Sequence, residues 1–353
     1  MSKAAICVVV PVYKAMATLD RCVESVLAQQ VEGGLTCILV DDGSPDESGA
    51  LCDAWAAKDD RVTVIHQDDL GVSGARNSGL AAADSEFIVF LDSDDALRPG
   101  ALQAALTAQR AAPQDFVVWH YTTDEKDPAA VTANSEPRTQ AGLARLWLDC
   151  LLAMPWNKLY RAGLAKQLQF DVQYTLGEDL QFVLDYIALL GQTVPEFGYR
   201  VMTSPLTFYD CSRGGTLSTR YHANYCDIWP KHFAKLNAAC HAAACPAEDM
   251  RPLHRAELQV FAEGVADIMR RDPSPTQRLK GYKAEAALRS PWLRALLERM
   301  KIEHCYSAYY LPCRWHNVGL VCRVDEARRA NAPLYGKLDW AGYYLLLGRM
   351  RRD

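Results

Sequence analysis

A chain of 353 residues with 38 basic and 43 acidic side chains carries a net charge of −5, is half hydrophobic and 23% charged. Such a composition can bury a substantial core and excludes a disordered chain. Its mild acidity argues against general nucleic-acid binding, which calls for a basic surface. The length points to two domains, or to one large domain with an appendage. No apolar run approaches the roughly 18 residues that cross a bilayer. The opening apolar run ends at Pro11 without a cleavage pattern, so a cytoplasmic protein is expected. The 12 cysteines include no C-x-x-C pair, and thiols inside apolar runs, such as Cys7 and Cys37, read as small reduced hydrophobes. Cys240, His241, Cys245 and His254 form a metal-like group, but their irregular spacing matches no zinc pattern and reads as ordinary helix-face residues.

The first hundred residues alternate between strand and helix signals. Ala5–Val10 is a continuous apolar run, the mark of a strand buried on both faces. A helix follows, with Thr18 placed to cap it and Leu19, Cys22, Val23, Val26 and Leu27 on one face. Thr36–Val40 reads as a second strand, Leu51 and Trp55 mark a helix, and Val62–His66 alternates as a third strand. Gly71–Ala83 reads as a helix and Phe87–Leu91 as a fourth strand. This rhythm is that of βαβ units and predicts a mostly parallel, helix-flanked sheet.

Beyond residue 100 the rhythm changes. Phe116–Tyr121 and Tyr199–Tyr209 read as strands, Leu143–Leu152 and Leu176–Leu190 as helices, and the polar segment Asp124–Thr139 as a loop. From Tyr221 onward the pattern is helical, broken near Pro246, Pro273, Pro275, Pro291 and Pro312. Charge is uneven: residues 270–353 hold 17 basic and 8 acidic side chains, against 21 and 35 in the first 269. A basic tail behind an acidic body points to an anionic partner.

In such sheets a ligand sits beyond the carboxyl ends of the strands. The residues there are Pro11-Val12-Tyr13, Asp41-Asp42-Gly43-Ser44 and Asp92-Ser93-Asp94-Asp95, and none of these is a glycine-rich phosphate loop. No G-x-G-x-x-G follows the first strand, which excludes a dinucleotide oxidoreductase of the usual kind. Paired carboxylates at a buried strand end are costly unless a cation or hydrogen-bond donors compensate them. A hard divalent ion would take one or two of these carboxylates together with phosphate oxygens, whereas a solvated turn is the plainer alternative.

Five stretches in order, VVVPVYKAMATLDRCVESVLAQQ (8–30), ILVDDGSPDESG (38–49), HQDDLGVSGARNSGLAAADSEFIVFLDSDD (66–95), WNKLYR (156–161) and GEDLQF (177–182), resemble the family 2 glycosyltransferases. The resemblance covers about the first 180 residues and leaves the C-terminal third unconstrained. It implies the GT-A fold, an α/β, Rossmann-like, mostly parallel sheet flanked by helices, with a helical C-terminal extension. On that footing residues 1–220 form the catalytic domain, 1–100 its nucleotide-sugar half and 101–220 its acceptor half, with a helical region over 221–353.

Carried over position by position, the resemblance implies an inverting transfer from a UDP-sugar. Pro11, Val12 and Tyr13 would line the base and ribose pocket, Asp41 would accept the imide N–H of uracil with Asp42 beside it, and Arg76 would help hold the nucleotide. Asp92, Ser93 and Asp94 would meet the ribose and a bridging Mn²⁺ or Mg²⁺, with Asp94 and Asp92 as ligands and Asp95 a turn residue. Asp179 matches the catalytic base, supported by Glu178; as plain structure the same pair would start a helix. Arg213 would contact the diphosphate through a loose match in which Cys211 stands where a second arginine is frequent. His222 is a candidate for the metal shell, and Trp156, Asn157 and Lys158 would face the acceptor, a glycan or lipid-linked hydroxyl in surface polysaccharide synthesis, with Trp156 a sugar-stacking platform or equally a core residue.

The tail Trp340–Arg352 mixes aromatic, aliphatic and basic residues. It suits an anionic membrane surface at the inner face, packing on the catalytic domain, or a contact between copies in a homo-oligomer. A non-catalytic sugar-nucleotide or glycan-binding protein on the same scaffold is the competing reading of the whole chain. Retention of Asp94 together with Asp179 speaks against it, since a binder needs no positioned base.

Overall fold

The computed structural model of the protein describes residues 3–174, 176–212, 220–332 and 335. It divides into two compact units, Met1–Gly214 and Gly215–Asp353. The first unit begins with β1 (Ala4–Val12), α1 (Leu19–Leu27), β2 (Leu35–Asp41), α2 (Ser48–Lys58), β3 (Val62–His66), α3 (Gly71–Ala82) and β4 (Ser85–Phe90). All the pairings among these strands are parallel. Val8, Val10, Leu39 and Val89 have no exposed surface, as continuous apolar runs require when helices cover both faces of a parallel sheet. Each such side chain contributes about 1.5–3 kcal/mol by leaving water. Helix α1 buries Leu19, Cys22, Val23 and Val26. Thr18 stands at its N-cap without a side-chain capping bond; its hydroxyl turns to the Ala15 carbonyl at 3.4 Å instead. Helix α3 lies so close to the sheet that a Cβ on Gly79 would press into Val9 and Val40.

The second half of the unit adds β5 (Ala96–Leu97), α4 (Ala101–Ala111), β6 (Phe116–Thr122), β7 (Ser135–Arg138), α5 (Leu143–Leu148), β8 (Lys158–Arg161), α6 (Ala162–Ala165), α7 (Glu178–Thr193) and β9 (Tyr199–Phe208). The strand order is β3-β2-β1-β4-β8-β6-β9-β5, with β7 on β9. Strand β8 runs antiparallel to both β4 and β6, and β9 runs parallel to β6, so the parallel run ends at β4. Strand β7 falls inside the segment expected to be a loop. It pairs only with β9 among the described strands, an edge position that tolerates Pro137, which has no N–H to offer. Helix α5 stops at Leu148, short of the expected Leu152.

In the second unit the helices are α8 (Tyr225–Ala242), α9 (Ala247–Arg271), α10 (Gln277–Leu288), α11 (Pro291–Ile302), α12 (Tyr310–Arg314) and α13 (Val318–Arg329). Leu258, Phe261, Ala262 and Val265 of α9 are fully buried at its centre. Thr276, Ser290 and Asn317 cap the helices that follow them by accepting the N–H groups of Leu279, Leu293 and Leu320. Pro246 and Pro291 start helices as expected, whereas Pro312 lies inside α12. Among the described residues no helix is long and apolar enough to cross a membrane.

Candidate active site

Parallel register brings the ends of β1, β2 and β3 together, with Val12 opposite Asp41 and Asp41 opposite His66. Pro11 and Val12 are buried within β1, and the Val12 carbonyl takes the Asp42 N–H. Of the PVY triplet only Tyr13 is open, at 44% exposure. The Asp41 carboxylate accepts the Ser44 N–H at 3.1 Å through Oδ1 and meets His66 Nδ1 at 3.0 Å through Oδ2. Burial alone would raise its pKa, but the bonds from Ser44 and His66 outweigh burial and hold it below the usual carboxylate range. Asp42 Oδ1 accepts from Gln67 Nε2 at 2.7 Å and from the Leu70 N–H at 3.0 Å. That oxygen therefore fastens the loop after β3.

The carboxylates Asp92 and Asp179 meet at Arg76, on α3. Arg76 is 3% exposed and lies over the Phe170 ring. It gives one terminal nitrogen to Asp179 Oδ1 at 2.5 Å and the other to Asp92 Oδ1 at 2.8 Å, with Glu178 at 3.9 Å. Both terminal nitrogens of Arg76 are thus engaged by carboxylates. Asp179 enters the site because Gly177, at φ 78, takes the left-handed turn that lets α7 start at Glu178. Asp92 and Asp179 keep 29% and 28% of their side chains exposed. Burial pushes Asp179 up to about 7 against the pull of Arg76, which leaves a carboxyl able to exchange a proton near neutral pH.

Asp92, Ser93 and Asp94 form a turn closed by the Asp95 N–H on the Asp92 carbonyl. Asp95, expected as a turn residue, is fully buried; its Oδ1 accepts the Asp210 N–H at 2.9 Å, and its Oδ2 has no hydrogen-bond partner among the described residues. Burial, reinforced by Asp92, raises its pKa to about 9, which favours the protonated form. Arg21 on α1 ties this turn to the end of β9, donating to the Asp94 carbonyl and to Asp210 Oδ2, both at 2.6 Å. Neither Arg21 nor Asp210 stood out in the sequence: Arg21 falls within the first matching stretch without a role attached to it, Asp210 lies outside all five, and both act on a turn distant in the chain.

The expected acceptor residues are placed differently. Trp156 is 3% exposed and stacks on Tyr209 at 5.4 Å, with Tyr121 edge-on at 5.3 Å. Asn157 and Lys158 are wholly buried. Asn157 donates to the carbonyls of Trp119 and Leu151, and Lys158 Nζ donates to Leu151 O, Met154 O and Asn157 Oδ1. Burial lowers the Lys158 pKa well below its ordinary value. These side chains hold the loop 151–157 in shape instead of reaching for a ligand. The half-buried Tyr121 and Tyr209 are the aromatic surface left at this end of β6 and β9.

Arg213 and the tail Trp340–Arg352 lie outside the described residues, and His222 belongs to the second unit. There the sequence group of Cys240, His241, Cys245 and His254 does not assemble as one cluster. His254 instead meets Glu303 at 2.6 Å and Asn237 at 3.1 Å, within 4.8 Å of Cys305.

Residues 7–169 match the profile described as Glycosyl transferase family 2. Over that stretch, a little under half of the chain, the protein is similar to the family 2 glycosyltransferases. Glycosyltransferase GlyG of Streptococcus pneumoniae is 39% identical over 124 residues, 35% of this chain and 41% of GlyG. The succinoglycan biosynthesis protein ExoO of Rhizobium meliloti is 33% identical over 54% of this chain and 58% of its own. The chain spans about half the length of the curated relatives it matches. Among solved structures, S. aureus TarS 1-349 in complex with UDP-GlcNAc superposes with a TM-score of 0.61 over 93% of this chain and 92% of that one, at 17% identity. The likeness shows the shared GT-A fold.

Proposed function

We propose that this chain moves a sugar from a UDP-sugar to a hydroxyl of a glycan or lipid-linked acceptor, with inversion, in surface polysaccharide synthesis. The observation that carries the reading is Asp179, a carboxyl raised to about 7 and held by Arg76 within reach of Asp92. A base at neutral pH needs that pKa, and a mere sugar-nucleotide binder does not. Asp179 removes the proton of the attacking hydroxyl as the transition state becomes oxocarbenium-like. Glu178 adds negative charge that keeps Asp179 basic. Asp41, ionised at the mouth of β2, accepts an N–H of the base, and Tyr13 is free to cover the nucleoside. Arg213 would lie against the diphosphate, and Tyr121 and Tyr209 would face the acceptor.

The turn at Asp92–Asp95 fits a hard divalent ion, Mn²⁺ or Mg²⁺. Its donors are all oxygens, and the buried Asp95 Oδ2 stands unpartnered beside them among the described residues. Asp94 and Asp92 would hold the ion. When bound, such an ion supplies Lewis-acid neutralisation of the diphosphate charge. Polysaccharide synthesis by the related ExoO and UDP-GlcNAc in the TarS structure support the substrate class.

The test is a donor screen of UDP-glucose, UDP-galactose and their N-acetyl forms, following UDP release and the transfer product with and without Mn²⁺. Asp179→Asn is expected to lower transfer at least 100-fold while UDP binding stays within a factor of about three. Unchanged turnover in that variant would remove Asp179 as the base.

A further inference from the structure

One histidine sits between two carboxylates at the edge of the nucleotide pocket. His66 ends β3, in register with Asp41 at the end of β2. Its Nδ1 is 3.0 Å from Asp41 Oδ2 and its Nε2 is 2.9 Å from Asp53 Oδ1, on α2. Only an imidazolium can donate to both, since a neutral ring has one N–H and would turn a lone pair to one of the carboxylates. The other Asp41 oxygen accepts the Ser44 N–H at 3.1 Å. From α2, Gly49 closes the remaining side: a Cβ there would lie 2.7 Å from Asp41 Oδ2. Asp42, the neighbouring acid, is turned away to Gln67 and Leu70. Asp41 therefore has both oxygens anchored and no room to rotate, while His66 is itself 48% exposed and reachable from solvent.

We propose that His66, braced by Asp53, is a positioning residue that locks the Asp41 carboxylate so that the pocket selects a donor base presenting an N–H. A fixed, ionised carboxylate accepts from the imide N–H of uracil and repels the lone pair that cytosine carries at the same ring position. Released from His66, Asp41 would swing and lose its aim. The inference rests on the reading of Asp41 as the base-recognising residue.

The experiment measures UDP and CDP affinity by calorimetry, and donor KM and kcat, in the full chain and in His66→Leu, His66→Asn, Asp53→Asn and Asp41→Ala. Losing one charge-assisted bond, His66→Leu is expected to weaken UDP binding and raise donor KM about 10-fold with kcat kept within about 2-fold, narrowing the UDP-over-CDP preference. Asn places an amide N–H where Nδ1 stood, so His66→Asn is expected to recover most of the loss. UDP affinity of the wild type should decline as pH rises through the elevated His66 pKa, and Asp53→Asn should bring that decline to lower pH. Asp53 is 64% exposed, so this variant keeps the test alive if His66→Leu does not fold. Wild-type UDP affinity and pH dependence in His66→Leu or Asp53→Asn, with Asp41→Ala impaired, would overturn the clamp alone. Undiminished UDP binding in Asp41→Ala would overturn the base pocket as well.

Discussion

Replacing Arg76 by Gln should move the whole pH–rate profile. Arg76 holds Asp179 at 2.5 Å and Asp92 at 2.8 Å, and a guanidinium at such distances lowers a carboxylate pKa by about 1–3 units. Because the cation is shared, a loss of about two units for Asp179 is the reasonable figure. Its pKa would then climb from about 7 to about 9, and the base must be ionised to work. At pH 7 the ionised fraction falls from about one half to about 1 in 100, so kcat/KM should drop about 50-fold; at pH 9 the deficit shrinks to about 2-fold. The assay is kcat/KM for UDP release coupled to transfer, between pH 5.5 and 9.5. A uniform loss at every pH would show that Arg76 does not tune Asp179, and an unmoved acid limb would refute Asp179 as the titrating base. The variant also leaves partly buried carboxylates unpaired, so a stability loss of about 2 kcal/mol is expected, discounted for their exposure.

Two further substitutions follow from groups buried beside the site. Lys158→Met should destabilise the first unit by about 2 kcal/mol, read as a lower Tm, because Leu151 O, Met154 O and Asn157 Oδ1 lose their donor. UDP affinity should be unchanged, and a selective loss of acceptor affinity without a change in Tm would restore Lys158 to the acceptor site. Asp95→Asn should stabilise the protein in metal-free buffer by up to about 5 kcal/mol at pH 8. The folded pKa of about 9 exceeds the unfolded value of about 3.9. The folded chain therefore keeps a proton that the unfolded chain releases, and Asp95 costs stability increasingly from about pH 4 until about pH 9. The Tm gap between variant and wild type should widen over that window; a constant gap would mean Asp95 is ionised throughout.

The first four strands were legible because their apolar runs leave no alternative to burial on both faces, and the stretches that resemble the family single out Asp41, Asp92 and Asp179. What the chain order concealed was where polar groups are spent. The resemblance puts Asn157 and Lys158 on the acceptor side, and nothing in the sequence marks this lysine as one of the few that are fully buried; their donors go to main-chain carbonyls. Arg76 read as a nucleotide residue, and its two carboxylates lie in other elements. His66 carried a usable signal, since parallel alignment of β2 and β3 puts it opposite Asp41, but Asp53 comes into reach only through the packing of α2. Strand β7 was hidden by its polar sequence, which suits an edge and gives no alternation to read.

The sheet order also bears on how the protein is made. Strands β1 to β4 pair with one another before residue 91, whereas β8 inserts between β4 and β6 although it follows β6 in the chain. During synthesis the N-terminal half can close its short-range pairings while the rest is still emerging. Arg76 then waits, already on α3, for Asp179, 103 residues downstream. Until α7 arrives the nascent chain holds half of its site: Arg76 can pair with Asp92, but the base is missing. The three-residue cluster thus closes only once α7 has been made, and a ribosome stalled before residue 179 would release a chain holding Arg76 and Asp92 without the carboxylate that completes it.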